Sequence, residues 1–329
     1  MPLINRCGGG GGTPQLCGQV ENFKAGLGNL SAILSWTAPS PDEDNSFVGV
    51  RIVRKTGAAP TGISDGTVVY EGTALTYTDT GLTAGTTYYY RAFAYNSKKK
   101  YQTEYRVASL TAIAIYSNFA DNDWDIIIGA CHSGNVPDTW VAGDSKTMTI
   151  DGVNYQFDIV GKNHDTYTAG GIAPLTFGLH DCYGTKYPMN SSATNSTGWD
   201  GSKMRTETLP AILAKMPVNI QNGIRSVNKL TATSGSSGTI KTASDKLFAF
   251  SEMEVYGSAE YSHRGEGKQY DYYKAGNSKV KKVGSTASRW WLRSPFRNGS
   301  NSFCAVNTGG SVNFTGASNS NGVCFGFCF

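Results

Sequence analysis

The chain has 329 residues, of which 16% are charged and 12% aromatic, with 40 glycines and a formal net charge of +4. The charged share is well under the usual quarter, and the aromatic share is too high for a disordered chain; together they fit β-rich, loop-rich extracellular or virion proteins better than cytosolic enzymes. The positive charge is small and dispersed, so no nucleic-acid partner is expected, and the lysine runs at 98–100 and 279–282 read as solvated faces.

Length predicts at least two domains. Residues 1–20, "MPLINRCGGGGGTPQLCGQV", hold no apolar stretch of the size a secretory signal needs, and no run is long enough to span a bilayer. No membrane insertion is expected. A protein of this kind acting outside a cell would leave by another route, such as lysis of a host that made a virion. Residues 1–18 form a glycine-rich arm, either a linker or an attachment to other virion proteins. The seven cysteines are scattered and odd in number, which makes buried free thiols the default. Cys7 and Cys17, flanking the glycine run, are the one pair for which a disulfide is the alternative.

Residues 19–117 read as an all-β domain. "SAILSW" offers Ile33 and Trp36 to a core, and "FVGVRIVRK" places Val48, Val50 and Ile52 on one phase with arginines between. "TVVYEG" and "TYTDTGLTAGTTYYYRAFAYN" follow. "GLTAGT" is a turn, after which Tyr88, Tyr90 and Ala92 share a face. Short strands with regular turn punctuation predict a sandwich. This order of motifs resembles a fibronectin type III domain. The resemblance makes Trp36 the core tryptophan of its second strand and Tyr88 its tyrosine corner. Such a module serves as a spacer or adhesion unit.

Residues 118–329 form one longer α+β unit. "KTMTIDGVNYQFDIVG" alternates about a hairpin signal at Asp151 and Gly152. Short helices are predicted in "ETLPAILAKM" and from Pro217 onward, where Ile220, Ile224 and Val227 fall at helical spacing. "TSGSSGT" is a flexible link, "DKLFAFSEMEVYGS" another apolar stretch, and "STASRWWLRSP" a strand ending at Pro295.

Six motifs stand in order across 124–329: "YQFDIVGKNHD", "APLTFGLHDCY", "YPMNSSATNSTGWDGSKMR", "LFAFSEMEVYG", "GEGKQYDYY" and "RWWLRSP". This series resembles a family of bacterial and phage domains carrying the WWLRSP signature. More remotely it resembles the C-type-lectin-like fold of variable proteins diversified by retroelements. The implied architecture is multidomain: an all-β fibronectin type III-like sandwich, then an α+β C-type-lectin-like domain related to formylglycine-generating enzymes. The family closes near "GVRPAF"; here the end reads "GVCFGFCF", without the arginine and proline. Val323, Phe325, Phe327 and Phe329 share one phase of that strand, and Cys324, Gly326 and Cys328 the other, so the strand is expected to be buried on both sides.

From Ser294 to Phe329 there is no Lys, Glu, Gln, Met or Trp, where the chain's own composition would give about five. Mutagenic copying of template adenines in asparagine codons excludes those same five residues. A serine- and asparagine-rich loop has the same look. A surface that tolerates change needs side chains whose loss costs no core packing. The resemblance therefore implies a variable region at 294–321. Its binding face would comprise Phe296, Asn298, Ser300, Asn301, Ala305, Asn307, Thr308, Ser311, Asn313, Phe314 and Thr315. The frame would be Trp290, Trp291, Leu292, Val323, Phe325 and Phe327. Phe303 reads as core, Phe296 and Phe314 as binding anchors.

The resulting expectation is a non-enzymatic receptor-binding protein, a phage tail component or bacterial surface adhesin. Its partner is a host-cell surface receptor, protein or glycan; no cofactor or metal is expected, and a homotrimer is the assembly common among tail proteins. Two alternatives stand beside it. One is a formylglycine-generating-type oxidase using Cys324 and Cys328, which share a face and suit a soft metal such as Cu(I); the other is a purely structural virion or surface protein. His164–Asp165 and His180–Asp181 are adjacent in strands and point apart. His132 and His263 have no evident partner, and the Glu-Pro-Asn and Trp-Asn-Asp motifs of calcium-dependent lectins are absent.

Overall fold

A computed structural model describes residues 17–39 and 46–329. Most of the expected N-terminal arm, with Cys7, lies outside the described residues. The chain divides into two compact units, Met1–Ile115 and Tyr116–Phe329.

In the first unit, alternation builds seven strands: β1 (Glu21–Gly28), β2 (Ser31–Thr37), β3 (Phe47–Thr56), β4 (Thr67–Gly72), β5 (Thr76–Thr80), β6 (Thr87–Asn96) and β7 (Arg106–Thr111). They form two antiparallel sheets, β1-β2-β5 and β4-β3-β6-β7, which is the strand arrangement of a fibronectin type III-like sandwich. Trp36 packs between Phe23 and Tyr70 in the core. Its phase is shared by Leu34 and Ala32, both buried, and Ile33 is turned to the other face because side chains alternate at a period of two. Val48 likewise leaves the phase of Val50 and Ile52 and is exposed, since the register of β3 against β6 shifts between Phe47 and Gly49. Tyr88, Tyr90 and Ala92 are buried together. The Tyr88 hydroxyl accepts from the Thr83 amide at 3.1 Å, tying the strand to the turn before it.

The second unit is β-rich with short helices. The first of these, α1 (Trp124–Ser133), falls on a stretch where no helix was predicted. β8 (Ser145–Ile150) and β9 (Val153–Lys162) form the expected hairpin, with Asp151 and Gly152 both at positive φ. β10 (Leu175–Leu179) follows, then α2 (Leu209–Leu213) and α3 (Val218–Gly223). The helix predicted beyond Pro217 stops short of Val227. Ile224 is extended, the Arg225 amide donates to the Cys328 carbonyl, and Val227 opens β11 (Val227–Ala232). Next come β12 (Ile240–Asp245), β13 (Phe248–Ala249), α4 (Glu252–Tyr256), α5 (Asp271–Lys274), β14 (Lys281–Val283), β15 (Thr286–Ser288), β16 (Trp290–Pro295), β17 (Ser302–Val306), β18 (Val312–Gly316) and β19 (Phe325–Cys328).

β19 lies inside a five-stranded sheet ordered β13-β19-β10-β9-β8. Every residue from 321 to 329 is buried, so the chain's last residues are a core strand covered on both faces. Phe327 and Phe329 pack on Phe177, and Trp124 closes over Phe177 and Phe329. A separate three-stranded sheet, β16-β17-β18, carries the bland stretch. Trp290, Trp291 and Leu292 are fully buried in its first strand.

Candidate ligand-binding face

β16 and β17 are buried along their whole length, and β18 is the sheet's edge. Phe303 opposes Thr315, Cys304 opposes Phe314, and Ala305 opposes Asn313. Alternation then sends Phe314 to one side of the sheet and Asn313 and Thr315 to the other. Phe314, 36% exposed, lies flat on Phe296, with ring centroids 3.8 Å apart and planes within 6°. Tyr261 joins them at 5.4 and 6.2 Å. Three partly exposed rings thus meet at one patch, and Arg297, Asn298, Ser300 and Asn301 project beside them.

Two buried polar groups hold this patch. Asn195, 1% exposed, donates from Nδ2 to the carbonyls of Gly299 and Ser302, both at 2.7 Å, and of Phe296 at 3.3 Å. Its backbone amide donates to Ser300 O, and its Oδ1 accepts from Gly235 N. A Cβ on Gly235 would meet Phe296 O at 2.3 Å and Gly299 O at 2.4 Å, so only glycine fits under the loop. The stretch "TSGSSGT", expected to be a flexible link, is at this point packed. The second group is Glu252, fully buried at the start of α4. Its carboxylate accepts the amides of Glu260 at 2.5 Å, Ser262 at 2.7 Å and Tyr261 at 3.1 Å, which fixes the loop that presents Tyr261. The Arg297 amide then donates to Tyr261 O, joining the two loops. The Glu260 carboxylate, bonded to the Tyr261 hydroxyl, raises that phenol above its ordinary value.

Not all of the expected face assembles. Ala305 is fully buried and Thr315 8% exposed, so neither belongs to a binding surface; Ala305 is covered on an inner strand, and Thr315 faces inward beside Phe303. Asn307, Thr308 and Ser311 form the β17–β18 turn, where Asn307 Oδ1 accepts from Arg289 Nε at 3.1 Å. From Ser311 to Phe314 is about 10 Å of strand, so this tip is a separate patch. Asn313 lies on the far face from Phe314. The expected frame residues Trp290, Trp291, Leu292, Val323, Phe325 and Phe327 are each at most 1% exposed.

Tyr261, Asn195 and Glu252 lie outside the bland stretch, and nothing in their spacing marked them. The signature arginine has a role that was equally hidden. Arg293 is fully buried and forms a bidentate pair with Glu254, whose Oε1 also lies 2.7 Å from Lys229 Nζ; Lys229 in turn meets Asp165 at 2.7 Å. Lys229 and hydroxyl donors hold the Asp165 carboxyl down at about 2 against the effect of burial. His180 pairs with Asp158 at 2.8 Å, not with its neighbour Asp181.

Cys324 and Cys328 do not meet. Cys324 Sγ donates to Leu179 O at 3.3 Å and Cys328 Sγ to Thr176 Oγ1 at 3.4 Å. Four residues of extended chain separate them by about 13 Å. Burial pushes the Cys324 thiol up to about 11 and raises Cys328 well above its ordinary value, and a protonated thiol is a poor nucleophile or ligand. Among the described residues, no group of three His, Cys, Asp or Glu side chains is placed to hold a metal ion, and no helix is long and apolar enough to cross a membrane.

Residues 176–328 match the family model of a domain of unknown function, DUF6273. No curated protein matches the chain. Three solved structures illustrate its likenesses. The spore cortex lytic enzyme SleM of Clostridium perfringens is 14% identical over 29% of this chain and 28% of its own, with a TM-score of 0.23. FN3tt is 19% identical over 30% of this chain and 97% of its own, at 0.22. A fibronectin type III domain of human KIAA0970 is 18% identical over 33% and 89%, at 0.25. The chain spans little more than a quarter of the SleM structure. It is a multidomain, mostly β protein with a fibronectin type III-like sandwich, followed by a region similar to a domain whose function is unassigned.

Proposed function

We propose that the chain is a non-enzymatic receptor-binding protein, a phage tail component or surface adhesin, whose second unit is a C-type-lectin-like scaffold displaying a face diversified by a retroelement. The observation that carries this reading is the patch of Phe296, Phe314 and Tyr261. Clusters of half-exposed aromatic rings are what binding hot spots are made of. Here they rest on backbone fixed from beneath by Asn195 and Glu252, and the neighbours Asn298, Ser300 and Asn301 are exposed, so their exchange removes no core contact. The fibronectin-like unit serves as a spacer. A patch this small binds modestly, and repeated copies on a particle supply avidity.

Sequencing the locus in related isolates tests the proposal. Substitutions should concentrate at 296–315, fall on Asn298, Ser300, Asn301, Thr308, Ser311 and Phe314, and spare Phe303, Ala305 and the buried 321–329 strand. A reverse transcriptase beside a near-copy of the 294–321 coding stretch should accompany them. Substitutions spread evenly along the chain would overturn the reading.

A further inference from the structure

Beneath the signature arginine, the second unit holds a cluster that ligand binding does not use. Lys229 on β11 is 1% exposed, Asp165 5% and Glu254 2%. The three protons of the Lys229 ammonium face Asp165 Oδ1 at 2.7 Å, Glu254 Oε1 at 2.7 Å and Tyr270 Oη at 2.8 Å. The Phe248 ring lies 4.0 Å from Nζ, so the amine sits against an apolar wall. The two oxygens of Asp165 differ in surroundings. Oδ1 faces the amine, while Oδ2 accepts from Thr176 Oγ1 at 2.6 Å and Tyr270 Oη at 2.7 Å. A cleft of about 400 Å³ reaches Lys229, Asp165 and Glu254 from the surface, passing His164 and Lys268.

We propose that Lys229 and Asp165 condense after folding into an intramolecular isopeptide bond, assisted by Glu254. An amine in hydrogen-bond reach of a carboxyl group, held there by a rigid fold, has the proximity that turns a slow bimolecular condensation into a unimolecular one. One proton passes from Nζ to Oδ1. The freed amine lone pair attacks Asp165 Cγ. The negative charge that develops falls on Oδ2, where the Thr176 and Tyr270 hydroxyls already donate. Glu254 takes a second proton from nitrogen and delivers it to the departing oxygen. The Nζ–Cγ bond forms, the Cγ–Oδ1 bond breaks, and one water leaves through the cleft; nothing is oxidised or reduced. The product amide keeps one N–H beside Glu254 and keeps both donors on its carbonyl.

The exchange also suits the core's electrostatics. Four buried charges, Lys229, Asp165, Glu254 and Arg293, become two, and those two are the bidentate Arg293–Glu254 pair. Removing one buried ion pair relieves its desolvation cost. The link closes a 64-residue stretch of chain, which restricts the unfolded state in the unit that carries the binding face.

Mass spectrometry of the folded full-length chain tests this directly. The expected result is an intact mass lower than the sequence mass by one water, about 18 Da, with trypsin unable to cut after Lys229 and a branched peptide joining the Asp165 and Lys229 segments. Lys229→Arg should run at its full sequence mass, and Glu254→Gln should lose or greatly slow the change. Asp165→Asn should release ammonia in place of water, a loss of about 17 Da. Wild-type protein at its full sequence mass, cut normally after Lys229, overturns the proposal, and so does a persistent loss in Lys229→Arg. The wild-type measurement decides even where Glu254→Gln does not fold.

Discussion

Glu252→Gln is the perturbation that best separates the frame of the binding face from the face itself. The carboxylate accepts amides from three consecutive residues, Glu260, Tyr261 and Ser262, and no described residue offers it a cation. Glutamine keeps the shape but presents an NH2 to one half of that amide ring, so at least two charge-assisted bonds are lost. At about 1.5 kcal/mol each the loss is about 3 kcal/mol. For a unit of this size each kcal/mol lowers the melting temperature by about 2–4 °C, giving a fall of about 6–12 °C. Urea unfolding and hydrogen exchange are the assays, and the amides of 260–262 should exchange faster than the rest of α4 and its loop. If the urea midpoint moves by less than about 0.5 kcal/mol of stability and those amides stay protected, Glu252 does not hold the loop, and the account of how Tyr261 is positioned is wrong.

Two further outcomes follow from the same geometry. Phe314→Ala, at a 36% exposed position, should cost about 1 kcal/mol of stability through its lost ring pair, yet weaken binding to receptor-bearing cells by about 30-fold or more; Phe303→Ala should do the reverse and cost about 3–5 kcal/mol of stability, read by urea unfolding beside a cell-binding titration. His180 is held above its ordinary value by the Asp158 carboxylate. A raised group stabilises fully below the unfolded imidazole value, near about 6.5, and that stability is lost as pH rises through the folded value. The His180 contribution should therefore fall from mildly acidic to mildly alkaline pH, opposite in sign to those of His132 and His164, which burial holds below their ordinary value, so the stability difference between wild type and His180→Gln should shrink as pH rises.

Much of the architecture was legible because it rests on local periodicity. Alternation and turn residues in 19–117 predict the sandwich, to which the fibronectin type III resemblance adds Tyr88 as its corner; Asp151–Gly152 marks the β8–β9 hairpin; and the two-phase apolar pattern at 323–329 predicts a strand covered on both sides. Local pattern failed where tertiary context intervened. Ile224 and Val227 sit at helical spacing, but the pairing of Arg225 with Cys328 draws the chain into a strand. Ile33 and Leu34 are neighbours of equal hydrophobicity, and only the phase set by Trp36 decides which is core.

The candidate face divides the same way. By itself the sequence isolates a stretch, 294–321, free of five residue types and bounded by apolar blocks, because composition is a one-dimensional property. Only the tertiary structure decides which of its residues face outward. Burial at an inner strand removes Ala305, and edge-strand alternation turns Thr315 inward while leaving Phe314 out. Chain reversal brings Tyr261 to Phe296, and the buried Asn195 holds backbone 101 to 107 residues away in sequence. The charges of Arg293, Glu254, Lys229 and Asp165 were invisible as a cluster for that reason: each looks like an ordinary surface residue until the fold removes water from all four at once.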